Sequence, residues 1–492
     1  MDTDKPSRDG SKVESQNGEA DMEKTIPDDK YLVDWDGPED KENPMNWSAK
    51  KKAANIVALS LLTFTTPLAS SMFAPGVGQV LQDFHSDSTL LAGFVVSVYL
   101  IGYAFGPLLC APMSELYGRL IVYRVTTVLF IIFTIACAFA PSLNSLIAFR
   151  FLAGSAGSAP LVLGSGTIAD CYPREQRGTA MAVFSMGPLL GPVIGPVAGS
   201  FLSQDAGWRW VFRLIAILSG VVGLVGLFMR ETWAPVLLER KATKLCKATG
   251  DPNYRSKQAS PNSPKEELLK ALYRPTNMVI KSPTVALFCL WMSVNYGYLY
   301  LIFTTITEVY ESKYGWSTGI SGLSFIGLGI GMIVGMIAFG ATSDRRIKRL
   351  QARNKAAPPE IRLEPLIPAA FLMPIGFFWY GWSADKQIHW IMPLIGLFWI
   401  GLGVIGMFMG VQTYLVDCYP RYAASVTSSN TVLRSLVGAL LPLAGQPLYQ
   451  TLGLGWGNSL LAFIAAACIP LPFVYLKYGE RIRTNPRFQF NF

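Results

Sequence analysis

The sequence predicts an all-α membrane protein of twelve transmembrane helices in two pseudo-symmetric six-helix bundles. Three observations carry this reading. The chain of 492 residues is 51% hydrophobic and only 15% charged, whereas soluble chains carry about 25% charged residues. Twelve apolar runs approach the roughly 20 residues that cross a bilayer. They lie at 53–75, 91–112, 121–140, 146–169, 178–202, 210–229, 283–307, 319–341, 365–382, 389–415, 424–450 and 455–477. Finally, Asp170-Cys171-Tyr172-Pro173-Arg174 returns as Asp417-Cys418-Tyr419-Pro420-Arg421, 247 positions later. A soluble core has no use for twelve such helices with so few charged faces between them.

Residues 1–52 form a polar tail, expected to be disordered to about Asp34 and to carry no cleavable signal peptide. With an even number of spans both tails share one side. That side holds 36 of the 42 Lys and Arg, and the opposite loops hold only Arg209, Lys313 and Lys386. This is a strong positive-inside signal, so both termini are expected in the cytoplasm. The net charge of +9 then points to anionic inner-leaflet lipid rather than nucleic acid. Seven cysteines without a CxxC pair suggest neither disulfides nor a metal site.

The pentapeptide follows spans 4 and 10, and the correspondence extends around it. Gly93, Gly102, Gly106 and Ser114-Glu115 match Gly322, Gly331, Gly335 and Ser343-Asp344 at a shift of 229. Gly191 matches Gly438 at 247, and Trp208 matches Trp456 at 248. The change of shift requires about 18 extra residues, most of them from the long loop 342–364. The expected organisation is a six-span half at 53–229, a cytoplasmic central loop at 230–282, a second half at 283–477 and a tail at 478–492. Parallel repeats of this kind are a transporter architecture, with substrate near the midplane between rocking halves.

Span 5 places Gly187, Gly191, Gly195 and Gly199 four residues apart, interleaved with Pro188, Pro192 and Pro196. Small residues at that period allow close helix approach, and each proline removes a backbone donor. The expectation is a tightly packed, bendable helix. No phosphate loop, metal cluster or nucleophile–base pair suggests an enzyme or a cofactor.

Span 5 resembles the antiporter motif of the major facilitator superfamily, and the resemblance covers all twelve spans. Ala111-Pro112-Met113-Ser114-Glu115-Leu116-Tyr117-Gly118-Arg119 resembles its loop motif, with Ala111 and Glu115 in place of the usual Gly and Asp. Gly340-Ala341-Thr342-Ser343-Asp344-Arg345-Arg346 is the counterpart. The resemblance implies that Glu115, Arg119, Asp344 and Arg345 latch the two halves on the cytoplasmic side. Asp34-Trp35, Glu42 to Ser48 and Glu231 to Leu238 resemble the fungal twelve-span drug–proton antiporters in particular. The last stretch, with Arg240, Lys241, Lys244 and Lys247 behind it, reads as an amphipathic segment on the inner leaflet.

Arg150, Arg213 and Arg434 fall inside spans. An arginine in hydrocarbon costs at least about 2.5–3.5 kcal/mol, which makes it a functional candidate. The resemblance implies a proton-coupling role for Arg150, and snorkelling to the outer end of span 4 is the alternative. Arg434 shares a helix face with Asn430. With Asn295 and Tyr296 of span 7 these residues are expected to line a substrate cavity, or else to pack against neighbouring helices. No Asp or Glu falls inside the twelve runs, and the acids of the repeat are expected to pair with neighbouring arginines at a turn. The expected function is a monomeric, proton-driven efflux permease of the fungal plasma membrane for hydrophobic small molecules. A polyamine–proton antiporter and an uncoupled facilitator of the same fold are the alternatives.

Overall fold

The computed structural model describes residues 31–86, 88–173, 177–258, 264–351, 358–419 and 423–485. Its helices make twelve crossings. Span 1 is Ala49–Ser71, continued through a tight turn at Ala74–Gly76 into Val77–Asp83. Spans 2 and 3 are Thr89–Tyr117 and Arg119–Ala138, separated by Gly118 alone. Span 4 is Leu143–Gly157 and Ala159–Cys171; spans 5 and 6 are Arg177–Ala206 and Trp208–Gly226. Two central helices follow, Ala234–Thr249 and Pro264–Lys281. Span 7 is Pro283–Tyr314, span 8 runs from Thr318 to Gln351, and spans 9 and 10 are Leu366–Asp385 and Ile391–Cys418. The apolar stretch Ser425–Thr484 has 60 residues, about 90 Å as a straight helix, far more than a bilayer needs. Gly453, at φ +73, turns the chain there and divides spans 11 and 12.

Spans 3, 6, 9 and 12 carry apolar stripes that face outward, such as Ile121, Val125, Val128, Ile132 and Ile135 on span 3. Their helical spacing marks the lipid-facing surface. The repeat survives as packing. A Cβ on Gly102 would fall on Phe151 O of span 4, and one on Gly331 would fall on Phe398 O of span 10. Gly154 stands against Tyr99 O as Gly401 stands against Leu328 O. The Trp208 and Trp456 match is different: Trp208 is buried and donates to Asp83 at 2.9 Å, while Trp456 is exposed.

We call the end of the bundle that carries both termini the terminal face, and the other the far face. The two halves meet through spans 2 and 11 and through spans 5 and 8. Gly93 lies against Leu443 and Pro442, and Leu100 against Gly438. Gly322 lies against Ser200, and Gly329 against Val193. Gln204 Oε1 accepts from Gly319 N at 2.7 Å. At the terminal face the helix Pro264–Lys281 packs against spans 2 and 11, and Ser429 Oγ donates to Pro275 O at 2.9 Å.

The polar tail is ordered further toward the N-terminus than Asp34; residues 1–30 lie outside the described residues. Leu32 and Val33 pair in parallel with Arg255 and Ser256. Lys241 Nζ reaches Asp36 at 2.7 Å and Asp40 at 3.4 Å, and Lys257 Nζ reaches Asp34 at 2.8 Å. Asp40 also accepts from the backbone N–H of Asp36 and Glu42, and Asn46 bonds Pro38 O and Asp40 O. Asp34, Asp36 and Asp40 thus form a clasp on the helix Ala234–Thr249, and Asn46 of the Glu42–Ser48 stretch braces it from within the tail.

Two expectations follow. Gly199→Val must displace Met72 O, which a Cβ would overlap, whereas a Cβ on Gly220 meets nothing. Gly199→Val should destabilise by about 1–3 kcal/mol, lowering the thermal midpoint in detergent, while Gly220→Val leaves it unchanged. The clasp should be pH-sensitive. Backbone hydrogen bonds from Asp36 and Glu42, aided by Lys241, hold Asp40 below the usual carboxylate range, and Lys257 does the same for Asp34. A lowered native pKa contributes stability that is complete above about pH 3.9 and is lost as pH falls through the native value. Amide exchange of residues 31–48, corrected for intrinsic rate, should be slow at pH 7 and accelerate below pH ~4. Asp40→Asn should already exchange faster at neutral pH.

Candidate functional site

Three sequence motifs converge at the terminal face of the first half. Arg119 opens span 3, and its side chain bonds Ser114 Oγ at 2.7 Å and Asp170 at 3.4 Å. Glu231, 4% exposed, accepts from the N–H groups of Arg119, Leu120, Thr232 and Trp233 at 2.9–3.0 Å. A carboxylate at a helix start satisfies donors that the helix leaves free. Gly118 sits at φ +95, and a Cβ there would meet Glu231. Trp233 covers the Arg119 guanidinium at 4.4 Å and donates to Glu115 O at 2.9 Å, and Thr232 donates to Asp170 at 3.2 Å. The second half repeats the node: Arg362 bonds Asp417 at 2.9 Å and Ser343 at 2.8 Å. Among the described residues, the acids of the repeated pentapeptide pair with Arg119 and Arg362. Arg174 and Arg421 lie outside the described residues.

Arg150 does not snorkel. It is 1% exposed, about 10 Å into the helix that starts at Leu143. Its guanidinium lies over Phe73 at 4.8 Å, Tyr99 at 5.3 Å and Phe212 at 5.7 Å. Nη2 donates to Val96 O at 3.2 Å and Ser70 O at 3.4 Å. Ser70 lies in the last turn of Ala49–Ser71, where helical carbonyls lack intrahelical partners. The break in span 1 ahead of Pro75 therefore helps to hold the charge. Among the described residues no carboxylate pairs with Arg150, and its Nε has no partner.

Ser70 also reaches across the seam. Its Oγ and the Tyr300 hydroxyl share a hydrogen bond of 2.9 Å. Tyr300 stands 5.1 Å from Tyr296, and Arg434 lies over Tyr296 at 5.0 Å and over Phe408 at 5.1 Å. A continuous line of contacts thus joins Arg150 of the first half to Arg434 of the second. One turn below Arg434, Asn430 donates to Gln412 Oε1 at 2.9 Å, and Gln412 donates to Thr427 at 3.0 Å. Asn430 is 1% exposed and its Oδ1 has no partner among the described residues.

The expected cavity set is therefore split. Tyr296, Asn430 and Arg434 come together with Phe408 and Gln412 between spans 7, 10 and 11. Asn295 turns back on its own helix and donates to Trp291 O at 2.6 Å. Sequence reasoning missed Gln412 and Phe408, for which a single polar residue and an aromatic in an apolar helix were the available signals. Gly187, Gly191, Gly195 and Gly199 all face span 1, against Ser60, Phe64, Leu68 and Met72 respectively. Pro192 and Pro196 are buried, Pro188 is half-buried, and Arg177–Ala206 remains one continuous helix. Glu115 and Arg345 are exposed, and the side chain of Asp344 lies outside the described ones. Among the described residues, Arg119 pairs within its own half. Arg213 is half-buried and covers Trp210 at 4.9 Å and Phe139 at 5.6 Å.

The model of the Major Facilitator Superfamily matches residues 59–442. The MFS-type transporter penM of Penicillium rubens is 55% identical, over 94% of this chain and 92% of its own. The MFS transporter cpaT of Aspergillus oryzae is 52% identical over 96% of each chain. The efflux pump radE of Floropilus chiversii is 50% identical, over 94% of this chain and 86% of its own. Among solved structures, a D-xylose–proton symporter superposes with a TM-score of 0.63 at 18% identity, over 86% of this chain and 97% of that one. A partially occluded inward-open form of the xylose transporter XylE from E. coli gives 0.63 at 16%, over 87% and 98%. These two share the fold alone. With the repeated lobes and the membrane-facing stripes, the matches establish that the chain belongs to the major facilitator superfamily and is a multi-pass membrane transporter, not an enzyme.

Proposed function

We infer that this transporter is a proton-coupled efflux permease of a fungal plasma membrane. It exports hydrophobic small molecules, such as drugs, toxins or secondary metabolites, by alternating access. The terminal face is cytoplasmic, and the unit is a monomer in contact with inner-leaflet lipid. The observation that carries this reading is the seam. Two matched lobes touch through spans 2 and 11 and spans 5 and 8, and the aromatic and polar side chains between them come from both. The efflux pump radE, half identical in sequence, supports the direction.

Roles for the expected residues follow. A guanidinium stays protonated in proteins, so Arg150 does not itself carry the proton. It acts by holding spans 1 and 2 through Ser70 O and Val96 O, and span 1 reports to the other lobe through Tyr300. The glycine–proline face of span 5, Gly187 to Gly199, is the surface on which span 5 shifts against span 1. Glu115, Arg119, Asp344 and Arg345 close the terminal face when the lobes rock the other way. Tyr296, Asn430 and Arg434 bind substrate, with Asn295 behind them.

One observation favours uncoupled facilitation as the second reading. Among the described residues no carboxylate meets Arg150 or Arg434, and Glu308, toward the far end of span 7, bonds Gln446. Polyamine transport is less consistent with a seam that presents two cations.

Inside-out vesicles with an imposed pH gradient separate these readings. Gradient-driven uptake is expected, and gradient-insensitive uptake would establish the facilitator. Arg150→Ala should lower the gradient response about tenfold while substrate counterflow persists. A wild-type gradient response in that variant removes Arg150 from the coupling.

A further inference from the structure

The geometry points to Arg434 as the binding site for a delocalised organic anion: a carboxylate or acidic enolate borne on a flat apolar body. This deepens the export reading and rests on it for the site's purpose. The two interior arginines make the argument by contrast. Both are packed against aromatic rings, but they are satisfied differently. Arg150 is sealed at 1% exposure and its guanidinium reaches two backbone carbonyls. Arg434 is partly exposed, and among the described residues it makes no hydrogen bond and no ion pair. Its Nε is buried without a partner.

A guanidinium between rings uses its faces for stacking and leaves its N–H edge free. Near the middle of a crossing, water is scarce and an uncompensated cation is costly. Among the described residues no Asp or Glu pairs with it. The complement has to arrive from outside, and the fork geometry selects two coplanar acceptor oxygens sharing one negative charge. The surroundings refine this. Tyr296 and Phe408 supply flat apolar walls at 5.0 and 5.1 Å from the guanidinium. Asn430, one turn away on the same face, leaves Oδ1 unpaired in a residue 1% exposed. Gln412 holds that amide through its other end at 2.9 Å. The site therefore takes an anion with a hydroxyl or amide donor beside the charged oxygens. Lipid phosphate is an unsuitable occupant, because headgroups lie at the membrane surface and Arg434 lies deep.

The test is equilibrium binding to the full chain in phosphatidylcholine nanodiscs, with empty nanodiscs as blank. The probes are 3-hydroxy-2-naphthoate and its neutral carboxamide. Wild-type protein should bind the acid at least about tenfold more tightly than the amide, as one charge-assisted hydrogen-bonded pair would give. In Arg434→Gln the acid and the amide should bind alike, and Arg434→Lys should restore part of the difference. Equal binding of acid and amide by the wild type, a comparison that needs no variant, overturns the proposal. So does an acid preference that survives Arg434→Gln. Vesicle transport read in parallel separates this from the export reading. Anion-selective binding without outward transport leaves the site standing and removes the exporter, whereas outward transport indifferent to substrate charge does the reverse.

Discussion

Helices in this protein approach until backbone nearly touches backbone, and the rest of the architecture depends on that approach. In lipid no hydrophobic force drives helix against helix, so packing depends on close contact. The glycines deliver it: Gly102 and Gly154 join spans 2 and 4, Gly331 and Gly401 join spans 8 and 10, and Gly187 to Gly199 join spans 1 and 5. Each lobe is thereby a closely packed unit. The contacts between lobes are of another kind, with Leu443, Leu100 and Val193 meeting glycines across the seam and one hydroxyl pair at Ser70 and Tyr300. Lobes that meet through side chains at one seam fit the architecture of transporters built from parallel repeats.

Within that frame the buried charges divide by how they are compensated. At the terminal face Arg119 and Arg362 have carboxylates, hydroxyls and, for Arg119, an indole. Deeper in, Arg150 relies on Ser70 O at a helix break, on Val96 O of span 2 and on three rings. Among the described residues, Arg434 has rings alone. The series runs from structural pairing to an open valence as the position moves from the water-facing end toward the seam.

Much of this was legible in the sequence. Twelve apolar runs, the shift of 229 and the gap between the runs 424–450 and 455–477 all correspond to physical features, because length and periodicity answer directly to bilayer thickness and helix geometry. The site was half legible. Arg150 and Arg434 stand out because charge in hydrocarbon is rare, but their partners do not, since a carbonyl such as Val96 O has no signature in sequence. For Asn295 the sequence shows the amide but not its bond to its own backbone at Trp291 O, because an amide on an aromatic helix looks the same whichever way it turns. The convergence of Arg119, Asp170 and Glu231 was illegible because these residues lie far apart along the chain and meet only when spans 3, 4 and 6 pack. The clasp was missed for a related reason: a polar, charged tail reads as solvated until Lys241 and Lys257 are brought to it.

The two terminal-face nodes share chemistry but not mounting. Arg119 is the first residue of span 3 and is pinned by Glu231. Arg362 sits instead on the short turn Pro359–Leu363, beyond a long connection from span 8. One arginine is therefore cast into a helix start, and the other into a turn that is itself moored, with Leu363 buried, Glu360 paired to Arg483 and Glu364 to Arg346. The duplication thus repeats an arginine–aspartate–serine triad while changing the local scaffold that carries it.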